Sequence, residues 1–589
     1  MLLPATPVAA FGARPSPGGF EVDLWAPDAA SLVVALVSGG RSVTARSGPH
    51  GRWRAHLPGA VHGDRYWIEV DGQRWPDPWS RWQPDGIDGP SALLDPAAIG
   101  AVPPGSPGRR PAPARDWGDE LVYELHVGTF SDEGTFDGVV AHLDELVALG
   151  VTVVELMPVN QFPGERGWGY DGIFWSAAQH SYGGPAGLVR LVDAAHERGL
   201  ALLVDVVFNH VGPTGDTLLS AFGPFFTDRH RTPWGPAINL DGPGSDAVRA
   251  TILQAADWWV RHVGADGLRV DACHALVDQR ARHVLAELTD RVHAVRPGVR
   301  VVAESGLNDP RVVRAEPAGG WGFDADWADD FHHALRTLLT DDRRGWLADF
   351  GEVGQLAKAF DRPLVHDGTW SDYRGRTFGA PADGVDPRRF VVFSQNHDQV
   401  GNRPRGDRLP RAARPLAALC TLFSPATPML FMGEEHGEDA PFLFFTDHQD
   451  PFIADATRTG RRAEFAGLAD GGEVPDPQAA STFAASRLTR RRDPVLADLY
   501  ARLIGLRSRI TAPTTNTEHD EAGRWLRVER GAWNLVANFG DREAVVPCPA
   551  GDVVAATDPA ARRDRRAAGA PGVRLAPRSG AWTSMEGAP

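Results

Sequence analysis

The stretch "LVYELHVGTFSDEGTFDGVVAHLDELVALGVTVVELMPV", Leu121–Val159, changes its hydrophobic period twice. "LVYELHV" is a short apolar run of strand type. "FDGVVAHLDELVALG" spaces its apolar residues three and four apart and stops on a glycine, as an amphipathic helix does, and "VTVVELMPV" is again a short, β-branched run. Strand, helix and strand in that order predict a parallel pair joined by a crossover helix.

Outward from this unit toward the C-terminus, the alternation repeats. "ALLVDVVF" (201–208), "GLRVDA" (267–272), "VRVVAES" (299–305), the stretch around "GWGFDADW" (320–327), "RFVVFSQNHD" (389–398) and "TPMLFMGEE" (427–435) supply six more strands. Eight βα units over residues 117–510 predict an α/β fold of (β/α)8 TIM-barrel type with insertions, a doubly wound open sheet being the alternative. Toward the N-terminus the pattern differs. Residues 1–100 hold short alternating segments, "FEVDLWAP", "SLVVALVS" and "RYWIEVDG", between Gly, Pro and Asp clusters, which predict a β-sandwich. "AVPPGSPGRRPAPARD" (101–116) reads as a proline-rich linker. After the helical "DPVLADLYARLIGLRSRI", "RWLRVER" and "AWNLVANFG" predict a small antiparallel β-domain over 511–589, with "DPAARRDRRAAGAPG" (558–572) as a solvated loop.

Composition narrows the function. A chain of 589 residues divides into several domains. Its net charge of −16 gives no basic field to follow a phosphate backbone, so no nucleic-acid partner is expected. Lys358 is the single lysine, which argues against a phosphate-loop or Schiff-base enzyme, and no Gly-rich nucleotide fingerprint opens a helix. No cofactor is expected. Cys273, Cys420 and Cys548 are too few and too scattered for a disulfide framework or a zinc site. With no membrane-length apolar run and no basic residue ahead of the first apolar segment, the expectation is a cytoplasmic protein without a membrane partner.

The strand ends carry the chemistry. Asp205, Asn209 and His210 end one strand; Arg269, Asp271 and His274 another; Glu304 a third; His397 and Asp398 a fourth. In a barrel these ends converge on one rim, so Asp271, Glu304 and Asp398 face a common cleft. Taken singly, each has a structural explanation: Arg269 and Asp271, two apart on a strand, form an ion pair, and a lone histidine is usually a satisfied core residue. Taken together they do not, because crowding like charges raises the cost of ionisation, and acid–base chemistry is what uses that cost.

In order and spacing these four stretches resemble the four short regions of the α-amylase superfamily of glycoside hydrolases and transglycosylases. "VDLWAPDA" and "YWIEVDG" resemble the starch-binding-type sandwich that precedes the barrel in isoamylases and branching enzymes. The resemblance implies that Asp271 is the nucleophile of a retaining mechanism, Glu304 the general acid/base, and Asp398 the carboxylate that holds the sugar's 2- and 3-hydroxyls. It implies further that His210 and His397 hydrogen-bond that sugar, that Tyr170 of "GWGYDG" stacks under it, and that Asp205 orients Arg269. Arg269 would lower the proton affinity of the nucleophile, while Glu304 would need a raised one. Asn209 aligns with a calcium ligand of many α-amylases, but no calcium loop accompanies it and no metal is expected.

Departures from the α-amylase pattern point to a subgroup. His274 stands three residues after the nucleophile and Ala275 four, where many α-amylases carry Lys-His. "ELMPVNQFPGERGWGYDG", "AESGLNDPRVV", "WADDFHHAL" and "PFLFFTDH" resemble the maltooligosyltrehalose trehalohydrolases, whose oligosaccharide substrate, maltooligosyltrehalose, is cleaved next to its terminal trehalose. Glycogen branching enzymes are the rival, but they have an acidic residue where Ser305 stands and a serine where Asn396 stands. A catalytically inactive, glycan-binding relative would have lost Asp271 or Glu304, and both are present. His274, Trp234 and Phe442 to Phe445 are candidates for shaping a pocket that fits two glucoses joined 1,1. Asp329 and Asp330 read as the acidic start of a helix.

Overall fold

The computed structural model describes residues 10–101, 112–113, 115–466, 473–513, 515–549, 551–564 and 571–586. Eight parallel strands close into a barrel in chain order: β1 (Val122–Leu125), β2 (Val153–Leu156), β3 (Ala201–Val206), β4 (Gly267–Val270), β5 (Arg300–Ala303), β6 (Ala325–Trp327), β7 (Phe390–Val392) and β8 (Thr427–Phe431), with β8 pairing back onto β1. Every predicted strand is present, and closure replaces the open-sheet alternative. The predicted helix after β1 is two helices, Phe136–Val140 and Leu143–Leu149, broken at His142, whose ring instead hydrogen-bonds Glu145 at 2.9 Å. Its predicted stop holds: Gly150 takes the left-handed conformation, φ 99°.

The interior of the barrel is built in steps of two residues, because alternate strand residues face the same side. Val122, Val153, Leu203, Val302, Ala325, Val391 and Met429 form one apolar cluster, the floor. Two residues further along each strand the same interior line reads Glu124, Glu155, Asp205, Glu304, Trp327 and Phe393, with Arg269 two residues beyond Gly267. A dry floor thus lies directly under a charged layer.

Before the barrel, two antiparallel sheets face each other. One contains Gly12–Ser16, Gly19–Trp25, Arg52–Pro58 and Arg46–Ser47; the other contains Ser42–Thr44, Leu32–Leu36, Arg65–Val70 and Gln73–Trp75, with Ser91–Ala92 added beside Arg65–Val70. The linker 101–116 falls largely outside the described residues, at 102–111 and 114. After the barrel, a five-stranded antiparallel sheet carries Trp525–Arg530 and Trp533–Asn538 as neighbours, and a three-stranded sheet packs beside it. The "DPAARRDRRAAGAPG" stretch is not wholly a loop: Arg562–Asp564 pairs with Gly572–Leu575, while 565–570 lie outside the described residues. Among the described residues no helix is long and apolar enough to cross a membrane.

Candidate active site

One guanidinium organises the centre of the rim. Arg269 is 1% exposed and held in a cation–π contact 4.3 Å from the ring centroid of Trp327. From there its Nη1 donates to Asp205 Oδ2 at 2.6 Å and to Asp271 Oδ1 at 2.9 Å, and its Nη2 lies 2.9 Å from Glu304 Oε2. The strand register makes this geometry: Asp205 of β3 sits directly across from Arg269 of β4. Three predicted site carboxylates therefore meet on one cation.

Asp271 is held from both sides. Asn209 Nδ2 donates to its Oδ2 at 2.7 Å and to its backbone carbonyl at 2.9 Å. Asn209, aligned from sequence with a metal ligand, here fixes the rotamer of the carboxylate. Among the described residues no cluster of His, Cys, Asp and Glu has the arrangement of a metal site.

The next residue, Ala272, lies in the left-handed region at φ 36°, ψ 49°. For a residue with a Cβ that conformation costs about 1–2 kcal/mol. It turns the Ala272 N–H onto Glu304 Oε2 at 2.8 Å. Oε2 of Glu304 thus takes two donors, and Oε1 is the oxygen left to carry a proton. Burial, opposed by Arg269 and reinforced by the charges of Asp271 and Asp398, pushes this carboxyl up to about 8. Asp205, buried deeper still, is pushed up to about 6 against the pull of Arg269.

A second chain of contacts reaches the other side of the cleft. Tyr170 OH donates to Asp205 Oδ2 at 2.7 Å and lies 2.8 Å from His397 Nε2, with the two rings stacked at 5.1 Å. Gly169 makes the turn that presents Tyr170: at φ 97°, a Cβ there would meet the Pro158 carbonyl at 2.1 Å. His397 Nδ1 bonds Glu124 Oε1 at 2.5 Å, and its own N–H donates to Glu124 Oε2 at 2.8 Å. Burial opposes charge on this imidazole, but the charge and hydrogen bond of Glu124 outweigh it and raise His397 to about 9. Asp398 follows at the start of the short helix His397–Gly401, which Asn396 caps by accepting from Gln399 N at 2.7 Å. Its side chain is 40% exposed, the most open of the three cleft carboxylates.

His210 bonds Asn209 through Nδ1 and stacks on Trp234 at 5.2 Å, while burial lowers its proton affinity. His274 is half-buried beside the loop that follows Glu304, its Nδ1 accepting from Gly306 N at 3.2 Å, and burial lowers it too. Tyr170, Asp205, His210, Arg269, Asp271, His274, Glu304, His397 and Asp398 are thus brought together on this rim. Of the Phe442–Phe445 candidates only Phe444 keeps some exposure, half-buried against Trp168 and Arg461. Phe442 and Phe445 are fully buried, Phe442 stacking on Trp168 at 5.1 Å, so they build the wall behind Tyr170 and His397, and Leu443 is buried as well.

Sequence reasoning missed Glu124, Glu155 and Asp329. Glu124 and Glu155 look like interruptions of apolar strands, and a charge at an interior barrel position was the available signal. In the sequence Asp329 has a sufficient explanation as the acidic start of a helix. It accepts from Gln399 Nε2 at 2.9 Å, and burial together with the charge of Asp398 pushes it up to about 7. Asp330 takes the structural part, accepting from Asn308 Nδ2 and from the N–H groups of Val365 and His366 at 2.7 to 2.8 Å.

Residues 76–219 match the family model of the alpha amylase catalytic domain, and 513–582 match a domain of unknown function, DUF3459. The malto-oligosyltrehalose trehalohydrolase of Arthrobacter ramosus is 44% identical, covering 90% of this chain and 95% of its own length. That of Rhizobium sp. (strain M-11) is 41% identical over 94% of this chain and 96% of its own. The chain belongs to the malto-oligosyltrehalose trehalohydrolase family. As a member of that family it is a glycoside hydrolase of α-amylase type, with a carbohydrate substrate. Family membership also fits the whole-chain shape: the crystal structure of a candidate alpha amylase from Salmonella typhimurium, 33% identical, superposes with a TM-score of 0.87 over 98% of this chain and all of the other.

Proposed function

We propose that this glycoside hydrolase cleaves the α-1,4 bond joining a maltooligosaccharide to a terminal trehalose, releasing trehalose with retention at the new reducing end. The observation that carries the chemistry is the single Arg269 guanidinium lying 2.9 Å from both Asp271 and Glu304. In the first step Glu304 Oε1–H gives its proton to the glycosidic oxygen as the C–O bond breaks, and Asp271 attacks the anomeric carbon to form a glycosyl ester. Asp271 then loses its charge while Glu304 gains one. Because Arg269 touches both, it follows the negative charge from one carboxylate to the other without moving, which is preorganised stabilisation of a charge that develops during reaction. In the second step Glu304 takes a proton from water, the oxygen attacks the same carbon, and Asp271 leaves. Asp398, His210 and His397 hold the hydroxyls of the reacting sugar, Tyr170 stacks beneath it, and Asp205 orients Arg269.

The substrate reading is supported by the near-full-length likeness to relatives named for this activity. His274, in the loop between β4 and β5, and Trp234, in the insertion between β3 and β4, are the side chains offered to the leaving trehalose. The three cysteines are buried free thiols, which suits a reducing, cytoplasmic setting. The test compares maltopentaosyltrehalose with maltoheptaose and amylose at equal concentration, following trehalose, reducing ends and new α-1,6 branches separately. Trehalose release from the first substrate should dominate. Comparable cleavage of plain amylose would point to an amylase, and branches without net reducing ends to a branching enzyme.

A further inference from the structure

Asp398 is the most open of the cleft carboxylates, and a chain of hydrogen bonds from outside the barrel reaches it. Asn402 Nδ2 donates to Asp398 Oδ1 at 2.5 Å. On its other side, Asn402 Oδ1 accepts from Arg461 Nη1 at 3.1 Å, and Arg461 Nη2 donates to the Gly401 carbonyl at 2.6 Å. Arg461 belongs to the helix Pro451–Glu464, which follows β8 and is mostly solvent-exposed, yet the Arg461 side chain is only 10% exposed. Its guanidinium lies between the rings of Phe444 and Phe465, 4.8 and 4.5 Å from their centroids, and its Nη1 also meets Glu464 Oε2 at 2.9 Å.

The chemistry of the three groups fixes a direction. A guanidinium has donors only and a carboxylate acceptors only, whereas a primary amide has one end of each kind. With Arg461 in place, the amide oxygen of Asn402 must face it and the NH2 must face Asp398. Without Arg461 the amide oxygen loses its donor, and among the described residues only the carboxylate itself is left to hold the Asn402 side chain in place. We propose that Arg461 is a positioning residue which locks the amide of Asn402 and thereby the Asp398 carboxylate in the orientation that receives the sugar hydroxyls. A second contact runs the same way: Phe444 meets the Trp168 ring edge-on at 5.2 Å, and Trp168 meets His397 edge-on at 5.6 Å. The helix Pro451–Glu464 is thus tied to two adjacent residues of the cleft.

This inference rests on the reading of Asp398 as the carboxylate that holds the reacting sugar. Four variants, Arg461→Met, Asn402→Ala, Asn402→Asp and the double variant Arg461→Met/Asn402→Ala, are assayed on maltopentaosyltrehalose beside Asp398→Asn, with kcat, KM and thermal midpoint measured for each. Methionine keeps the volume between the two phenylalanines and removes the donors. Arg461→Met should lower kcat about ten- to a hundredfold, the worth of one hydrogen bond to a charged group, with a smaller change in KM. The double variant should be no slower than Asn402→Ala alone, because both substitutions remove one orientation device. Asn402→Asp leaves Arg461 a partner and so keeps the fold, but it puts like charges together at Asp398. It should lose activity without losing thermal stability. Full kcat in Arg461→Met or in Asn402→Asp, or effects of Arg461→Met and Asn402→Ala that multiply independently, overturns the inference. Near-normal turnover in Asp398→Asn sinks the reading of Asp398 itself, a distinct outcome.

Discussion

At the scale of single residues, the proposed mechanism depends on one cation serving carboxylates whose proton affinities are set apart. In the proposed mechanism Glu304 must be protonated to act first as an acid, and its carboxyl is pushed up to about 8, so kcat/KM should fall as pH rises through that value. His397, raised to about 9 by Glu124, loses its charge just above, steepening the same limb. Glu304→Gln and Asp271→Asn should each cost at least about 10³-fold in kcat on the natural substrate, and Glu304→Gln should abolish the limb near pH 8 on a substrate whose leaving group needs no protonation. The fold pays for Glu304 when it ionises: a carboxyl raised on folding contributes stability below its ordinary range and loses it as pH rises through about 8. Glu304→Gln should therefore melt higher than the parent, by a margin that widens between about pH 5 and 8; a constant margin across that range would refute the assignment. Asp271, Glu304 and Asp398 were legible from the sequence because carboxylates at strand ends are costly and patterned. Glu124 was not, since one glutamate in "VYEL" carries no sign of the His397 ring and N–H that it holds, nearly three hundred residues later in the chain.

At the scale of elements, the hydrophobic period marks the eight strands, and the interior line of alternate residues explains why they are polar only at one end. What it could not give was the seating of inserted pieces. "PFLFFTDH" looks like an aromatic cleft lining, yet Phe442 and Phe445 are buried against Trp168 and His126, because aromatic composition does not say which face of an irregular segment is covered. Trp234 came out differently: it sits at the turn of the hairpin Phe226–Thr232 and Gly235–Ile238, 49% exposed, with its ring stacked on His210. An exposed ring over the histidine proposed to hold the reacting sugar is placed to bind substrate. Trp234→Ala should raise KM for maltopentaosyltrehalose about three- to tenfold, the worth of one aromatic stacking contact, and change the thermal midpoint little. Unchanged KM together with a lowered melting temperature would assign the tryptophan to packing.

At the scale of the whole molecule, the question is what the N-terminal sandwich contributes to a site to which its described residues supply no side chain. Their observed contacts are with the barrel's outer shell. Phe11 N–H donates to Gln254 Oε1 at 2.6 Å, and its carbonyl accepts from Gln254 Nε2 at 2.9 Å, in the manner of a backbone pair. Trp79 is 2% exposed; its Nε1 donates to Thr251 Oγ1 at 2.9 Å, and its ring packs at 5.7 Å on Phe222 and 6.1 Å on Phe225, which Trp25 also meets at 5.5 Å. Phe222 and Phe225 lie just before the hairpin that carries Trp234, so the sandwich covers apolar surface that would otherwise face water just behind a cleft element. Removing residues 1–100 should expose that surface and give insoluble protein. The milder test is Trp79→Ala. Truncating a buried tryptophan costs about 3–5 kcal/mol, so the thermal midpoint should fall by several degrees while kcat/KM per folded molecule stays within about twofold of the parent. The outcome that would reverse this assignment is a variant of unchanged stability whose KM rises for long maltooligosyltrehaloses and not for short ones, since only a glycan-binding sandwich would sense the length of the chain.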